Sequence, residues 1–524
     1  MDDKAQRLAD KVFVYYKDQT VTYGELSKTT NRFANTLIHD VGVKKGDKIA
    51  VMFPNGPDYV FLAFSIAKTG AIQVPINTEL KQDSLSSQVN FCDAEVLIID
   101  DKFFPLLKSI SDNLKNVKKV LIKTADFEKE KFRLTKDIDI FPYENLSQGS
   151  EKTPGVDVKW YDPVAIFFTS GTTGLPKGVV LPHNHHYDMP RTLCECWRLG
   201  PEDIVYIWSP FYHGIAQYSS VGPALLAEGA VGISDRFSAS RFWSEIRRYR
   251  ATAILAVYTM APILLKQPER EDDADNPLRV YCTIGIAPSI VEPFEKRFGV
   301  KVLQIFGSTE QGVVAYTPYD KNKFEAVGPI NTRDFEVKIV DENDVELPVG
   351  SVGEYVSRAK EPFVRMIEYY KMPEETVKYF RNLWLHSGDL ARMDEEGWIY
   401  FEGRAKDSIR RRGENISAFD FETVAGSYED VQECAAIPIS SEFGEDEIKV
   451  IIVPKGNKPF DIQAFIMFCE EKMPKYMIPR YVEVTESLPK TGTGKVEKVK
   501  LKAQGLTATT WDNEIGDYFN VTVI

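Results

Sequence analysis

Cysteine is scarce in this chain: six among 524 residues, at Cys92, Cys194, Cys196, Cys282, Cys434 and Cys469. They form no CxxC pair and no Cys/His grouping with zinc spacing, so neither a zinc module nor a disulfide scaffold is expected. Scattered thiols in a chain this long suit a reducing compartment. Long apolar runs are also lacking. The most apolar window, Tyr59 to Ala67, stops at Lys68 and is too short to span a bilayer. The start, Met-Asp-Asp-Lys, has no apolar stretch behind it, so no signal peptide is expected and a cytoplasmic protein is. Clustered positive charge is missing too: the net charge is −13 and the acidic excess is spread along the chain. A nucleic-acid surface would be basic and gathered, so nucleic acid is not an expected partner. No short repeat or low-complexity tract occurs.

What is present is an α/β rhythm. Val12 to Lys17 and Gln19 to Thr22 predict a hairpin, and Tyr23-Gly24-Glu25-Leu26 opens an amphipathic helix through Phe33 and Leu37. Lys48 to Phe53 predicts a strand, a helix through Phe61 and Phe64 follows, and Gly70 to Asn77 predicts the next strand. The same alternation returns at 95–122, 201–234 and 250–306, which implies parallel pairing. After about residue 320 the pattern changes to antiparallel strands, Val337 to Asn343 and Gly353 to Ser357. Arg404 to Arg412 is dense in charge and reads as a linker. Beyond it lie strands at 435–439 and 449–453 and helices at 420–427 and 461–472. The expected division is 1–405 and 406–524, a large N-terminal domain and a C-terminal one of ordinary size.

The stretch Phe167-Phe168-Thr169-Ser170-Gly171-Thr172-Thr173-Gly174-Leu175-Pro176-Lys177-Gly178 breaks off a short apolar strand. It has no side chains with which to pack a core. It can present backbone N–H groups, four hydroxyls and one lysine to an anion, and so predicts a polyphosphate cradle. It is not a Walker A loop, because Pro176 precedes Lys177 and Gly178 follows it.

Further stretches carry chemistry. Leu303 to Glu310 is a strand ending in a tight turn that presents Thr309 and Glu310 beyond Phe306, Gly307 and Ser308. A carboxylate there suits Mg²⁺, which takes one or two carboxylates together with phosphate oxygens. Trp384 to Asp389 puts an aspartate after a glycine turn, where it can accept hydrogen bonds from both ribose hydroxyls. Gly403-Arg404-Ala405-Lys406-Asp407 adds a guanidinium and a charged pivot. Arg411-Arg412-Gly413-Glu414 is a basic turn open to close approach by a narrow ligand arm. Pro489 to Lys495 is a flexible small-residue loop bearing a lysine able to swing onto a phosphoryl-transfer transition state.

In this order these motifs, from about Tyr23 to about Lys498, resemble those of the adenylate-forming superfamily: acyl-CoA synthetases, peptide-synthetase adenylation domains and luciferases. Phe237 to Trp243, Tyr249 to Thr252 and Arg297 to Val300 look most like bacterial acyl-CoA ligases of the carnitine/crotonobetaine-CoA ligase type. The resemblance implies an α/β fold with a large N-terminal domain of α/β sheets, a small β-barrel-like subdomain, and a smaller mobile α+β C-terminal domain. It implies ATP, Mg²⁺ and CoA as reactants and cofactor, with a small carboxylic acid as the other substrate, and it allows a homodimer. Thr169, Ser170, Gly171, Thr172, Thr173, Gly174 and Lys177 would hold the ATP phosphates. Gly285, Ile286, Ala287 and Pro288 would line the adenine, on which Phe306 stacks. Thr309 would meet the α-phosphate and Glu310 the Mg²⁺, while Asp389 and Arg404 would hold the ribose. Lys495 would be catalytic in adenylate formation, Lys406 the hinge, and Arg412, Gly413 and Glu414 the CoA contact. His213 would gate an acyl pocket that Tyr212, Gln217, Ser219 and Ile286 line.

The chain also departs from the family pattern. Phe306 stands where tyrosine is usual, Ala418 where proline is, and Asp420 where glutamate is. Ile286 replaces a usual glycine, which removes pocket volume and points to a short or compact acid. The bunched His183, His185 and His186 are expected to be solvated or to form a pocket wall. An adenylation enzyme that loads a carrier protein shares every one of these motifs, as would a nucleotide-binding homologue without turnover.

Overall fold

The computed structural model describes every residue except 129–130, 135–137, 170–176, 258–259, 287, 405–407, 442–443, 457–458, 490–495, 497 and 520–524. Two compact units result: a larger one within Met1–Gly403, apart from two short segments at 79–82 and 169–177, and a smaller one built on Arg404–Ile524.

In the larger unit, local chemistry sets the elements. The hairpin Val12–Tyr16 with Gln19–Thr22 runs into the helix Tyr23–His39, which starts on a capping box: Thr22 accepts from the Glu25 N–H and the Glu25 carboxylate accepts from the Thr22 N–H. The next helix, Pro57–Thr69, has proline in its first turn and stops at Gly70, whose φ of 70° is a left-handed cap.

Two eight-stranded sheets follow. In the first, six parallel strands lie in the order Lys301–Ser308, Val280–Ile284, Ala253–Val257, Ile204–Ile207, Ala230–Ile233, Val12–Tyr16, with an antiparallel strand at each edge. Register pairs such as Leu255 with Cys282 and Thr283 with Gln304 keep the strand ends level. The second sheet centres on the parallel strands Pro163–Thr169, Ile72–Pro75, Lys48–Met52, Val96–Asp100 and Lys119–Lys123. The helices Tyr23–His39, Pro57–Thr69 and His185–Trp197 bury Phe33, Leu37, Ile66, Leu193 and Trp197 in one core with Val14 and Val205 of the first sheet and Val51 and Leu181 of the second. Each such side chain contributes roughly 1.5–3 kcal/mol by leaving water.

A third, antiparallel sheet of five strands includes Phe335–Val340, Gly353–Ala359, Leu385–Met393 and Trp398–Arg404, as the change of pattern after residue 320 predicts. The smaller unit has a hairpin, Ser408–Arg411 with Glu414–Ser417, and a five-stranded sheet that opens with Val431–Ser440 and Asp446–Pro454. Its helices at Ala418–Ala425 and Ile462–Lys472 lie within two residues of the expected spans. The tail, for which the sequence suggests no role, supplies the last two strands of this sheet, Thr510–Asp512 and Asp517–Tyr518, with Asp512 buried against Arg480.

Candidate active site

Parallel strands put all their C-terminal ends on one edge, and in open α/β sheets ligands bind beyond that edge. Three sequence-predicted segments leave the first sheet there. Ser209 to Gly214 follows Ile207, Gly285-Ile286 follows Ile284, and Thr309-Glu310 follows Ser308.

The Thr309-Glu310 turn has no room to vary. The strand Lys301–Ser308 doubles back into Gly312–Tyr316, and a Cβ on Gly307 would fall 1.8 Å from the Gly312 carbonyl oxygen. Glu310 is buried; its carbonyl accepts from the Met366 N–H at 2.8 Å and its Oε1 accepts from the Tyr369 hydroxyl at 3.1 Å. Burial and the neighbouring Glu310 both push the Tyr369 phenol pKa up, so Tyr369 stays a donor. On the other side the Thr309 hydroxyl faces Tyr218, whose pKa burial raises and Thr309 opposes. Tyr218 lies in a π-helical turn, Gln217–Val221, an irregularity frequent at functional sites. Its hydroxyl packs so closely on Gly214 that an added Cβ there would lie 1.9 Å away.

Phe306 sets its ring against Tyr355 at 5.0 Å and Phe401 at 5.9 Å. Tyr355 links three candidates at once. Its ring meets Phe306, its hydroxyl donates to Gln311 beside Glu310, and its carbonyl accepts from Ser387. Ser387 in turn accepts from the Asp389 N–H at 3.0 Å, while Gly388, with φ of 73°, donates to Glu354. The stacking and ribose candidates thus belong to one bonded group.

Around the expected acyl pocket, the Tyr212 ring packs on His213 at 4.7 Å. Gln217 Nε2 donates to the Phe211 carbonyl at 2.6 Å, so this amide braces the loop. Ile286 is buried in the apolar cluster of Val257, Met260 and Val291. Asn55 is a residue the sequence shows only as a strand breaker. It is buried, donates to the carbonyls of Ser209 and Ser234, and accepts from the Phe211 N–H at 3.1 Å. Nothing in an Asn-Gly-Pro turn distinguishes such a staple.

The histidine expectation needs correction in part. His185 is buried, whereas His183 and His186 are half-buried; His185 and His186 open the helix His185–Trp197, with Tyr218 within 5.1 Å of both rings, and His183 precedes it. Burial lowers the pKa of His183 and His185 to about 4.

Thr169 ends one strand and Lys177 begins the next, flanking Ser170, Gly171, Thr172, Thr173 and Gly174, which lie outside the described residues, as do Ala287, Lys406 and Lys495. Arg404 is described in its backbone only, at the end of Trp398–Arg404. Arg412 and Gly413 form the hairpin turn of the smaller unit, and Glu414 begins the strand that leaves it. Among the described residues no three His, Cys, Asp or Glu side chains gather around a metal-sized space. One buried carboxylate, Glu310, fits Mg²⁺ instead, because that ion completes its shell with water and phosphate oxygens.

Residues 1–364 match the AMP-binding enzyme family, and residues 420–495 match the AMP-binding enzyme C-terminal domain. A protein of Salmonella paratyphi A named crotonobetaine/carnitine–CoA ligase is 28% identical over 515 residues, covering 96% of this chain and 98% of that one. An o-succinylbenzoate CoA synthetase from Bacillus subtilis superposes with a TM-score of 0.79 at 23% identity, covering 96% and 97% of the two chains. An amide bond synthetase from Marinactinospora thermotolerans does so with a TM-score of 0.81 at 21% identity, covering 96% and 99%. The solved structures share the fold, and the match over residues 1–364 identifies the family: the chain belongs to the AMP-binding enzymes.

Proposed function

We propose that this enzyme is an ATP-dependent acid–thiol ligase that activates a small carboxylic acid as its acyl-adenylate and passes the acyl group to CoA. The observation that carries the reading is the Thr309-Glu310 turn. It is held rigid by Gly307 and Tyr369, and it shares a sheet edge with the Tyr212-His213 and Gly285-Ile286 segments. In the first step a carboxylate oxygen attacks the α-phosphorus in line, the bond to the bridging oxygen breaks, and pyrophosphate leaves. Negative charge spreads over the phosphoryl oxygens, so the protein's task is positioning and neutralisation. Thr309 donates to an α-phosphate oxygen, Lys495 and Lys177 supply positive charge, and Asp389 with Arg404 holds the ribose. Mg²⁺ held by Glu310 would neutralise phosphate charge. In the second step the CoA sulfur attacks the acyl carbon, the carbon–oxygen bond to AMP breaks, and the thiol proton goes to solvent. Arg412, Gly413 and Glu414 serve this step, and a pivot at Lys406 separates the two steps. Six free cysteines support a cytoplasmic location.

Ile286 favours a compact acid, and the Salmonella paratyphi A relative is named for joining crotonobetaine or carnitine to CoA. The test is pyrophosphate release with a panel of short, branched, betaine-like and aromatic carboxylates, with and without CoA. An acid that releases pyrophosphate alone and yields AMP and thioester when CoA is added is expected. Thioester formation with no acid in the panel, or release of ADP in place of AMP, contradicts the proposal.

A further inference from the structure

In the smaller unit, the hairpin that carries Arg412 and Gly413 turns through two left-handed residues, Arg412 with φ of 55° and Gly413 with φ of 80°. Positive φ at both central positions is the geometry of a tight two-residue hairpin turn, and the arginine adopts it against its own preference. Something must hold it there. The holding groups are three consecutive acids at the head of the neighbouring strand. The Glu445 carboxylate accepts from the Gly413 N–H at 3.1 Å, Asp446 accepts from the Arg410 N–H at 3.1 Å, and Glu447 pairs with the Arg411 guanidinium at 2.6 Å. The same guanidinium donates to the carbonyls of Tyr476 and Ile478. Glu445 and Arg411 are buried, at 5% and 4% exposure, so these bonds form away from competing water. Successive strand residues normally point to opposite faces. Here backbone N–H donors and a side chain from the hairpin together meet all three acids, so the turn is gripped at its tip, its base and one flank.

From this geometry we infer that Glu445, Asp446 and Glu447 are positioning residues that fix the shape of the Arg412-Gly413 turn for the thiol-transfer step, with Glu445 setting the tip. The inference rests on the reading of the enzyme as a CoA ligase whose Gly413 turn serves the second step. Each of the three acids contacts the hairpin and acts through it. The consequence is a split between half-reactions. A loosened tip weakens CoA use and leaves adenylate formation alone, because the adenylate is made from ATP and the acid without that turn.

The experiment uses the full-length enzyme with an acid that supports turnover. Adenylate formation is followed as pyrophosphate release with hydroxylamine trapping the acyl group, and thiol transfer is followed as thioester from supplied acyl-adenylate and CoA. Glu445→Ala removes the acceptor, and a hydrogen bond to a charged group corresponds to about ten-fold or more in rate. The ratio of thiol transfer to adenylate formation is therefore expected to fall at least about ten-fold, with kcat for CoA falling more than its KM rises. Glu445→Gln keeps one acceptor oxygen at the same place and is expected to restore most of that ratio. Taking the ratio protects the outcome against a general loss of folded enzyme. An unchanged ratio in both variants overturns the inference while leaving the ligase reading intact, whereas a wild-type enzyme that adenylates the acid and makes no CoA thioester overturns both.

Discussion

Tyr369 holds one oxygen of Glu310 with a neutral hydroxyl whose pKa burial keeps high. Tyr369→Phe leaves the ring in place and removes that donor. An unmet buried acceptor costs about 1–3 kcal/mol, so pyrophosphate release is expected to slow about ten-fold or more, with the acid's KM little changed. Steady-state kinetics checks this, and a variant as fast as wild type would remove the brace from the account. Ile286→Ala opens space within a packed apolar cluster. The variant is expected to accept acids longer than the natural one, by a preference shift of about ten-fold, the worth of one or two methylenes. A chain-length series reads this directly. At this scale the sequence shows Thr309, Glu310 and Phe306 because their strand ends in a recognisable turn. Tyr369, Tyr355 and Asn55 stay hidden, because a tyrosine in a strand and an asparagine before Gly-Pro look the same whether or not they face a site.

Among the elements, the helix His185–Trp197 carries an unexpected load. His183 and His185 have pKa values near 4 in the folded protein against 6.5 for the free side chain. The folded state therefore binds protons less readily than the unfolded one. Their contribution is fully present above pH 6.5 and is lost as pH falls toward 4, on the order of 2–3 kcal/mol each by linkage. The melting temperature is expected to fall steeply across that window, and His183→Gln to flatten the fall. A pH-independent melting temperature between 6.5 and 4.5 would be inconsistent with buried neutral imidazoles. Polarity alone misleads here: three histidines bunched near a helix start look solvated, while Tyr218 packs on His185 and His186 and Phe167 lies beside His186. The alternation of strands and helices was legible, since apolar period and Gly/Pro punctuation are local. The last two strands of the smaller unit were not: Thr510–Asp512 and Asp517–Tyr518 are short, and they are held by contacts distant in sequence, such as Asp512 with Arg480 and Thr510 with Glu483.

For the whole molecule, the division of labour between the units is the central claim. The larger unit supplies the Thr309-Glu310 turn and the acyl segments; the smaller supplies the Arg412-Gly413 hairpin and, in the proposed mechanism, Lys495. Lys495→Ala is expected to slow adenylate formation by a hundred-fold or more, about 2.7 kcal/mol of transition-state stabilisation, and to slow thioester formation from supplied acyl-adenylate far less. The chemistry itself is read most directly with a carboxylic acid labelled with ¹⁸O in both oxygens. If the acid attacks the α-phosphorus and the thiol then displaces AMP at carbon, one labelled oxygen passes to AMP, which gains two mass units while pyrophosphate gains none. AMP without label, or label in inorganic phosphate, would contradict the account.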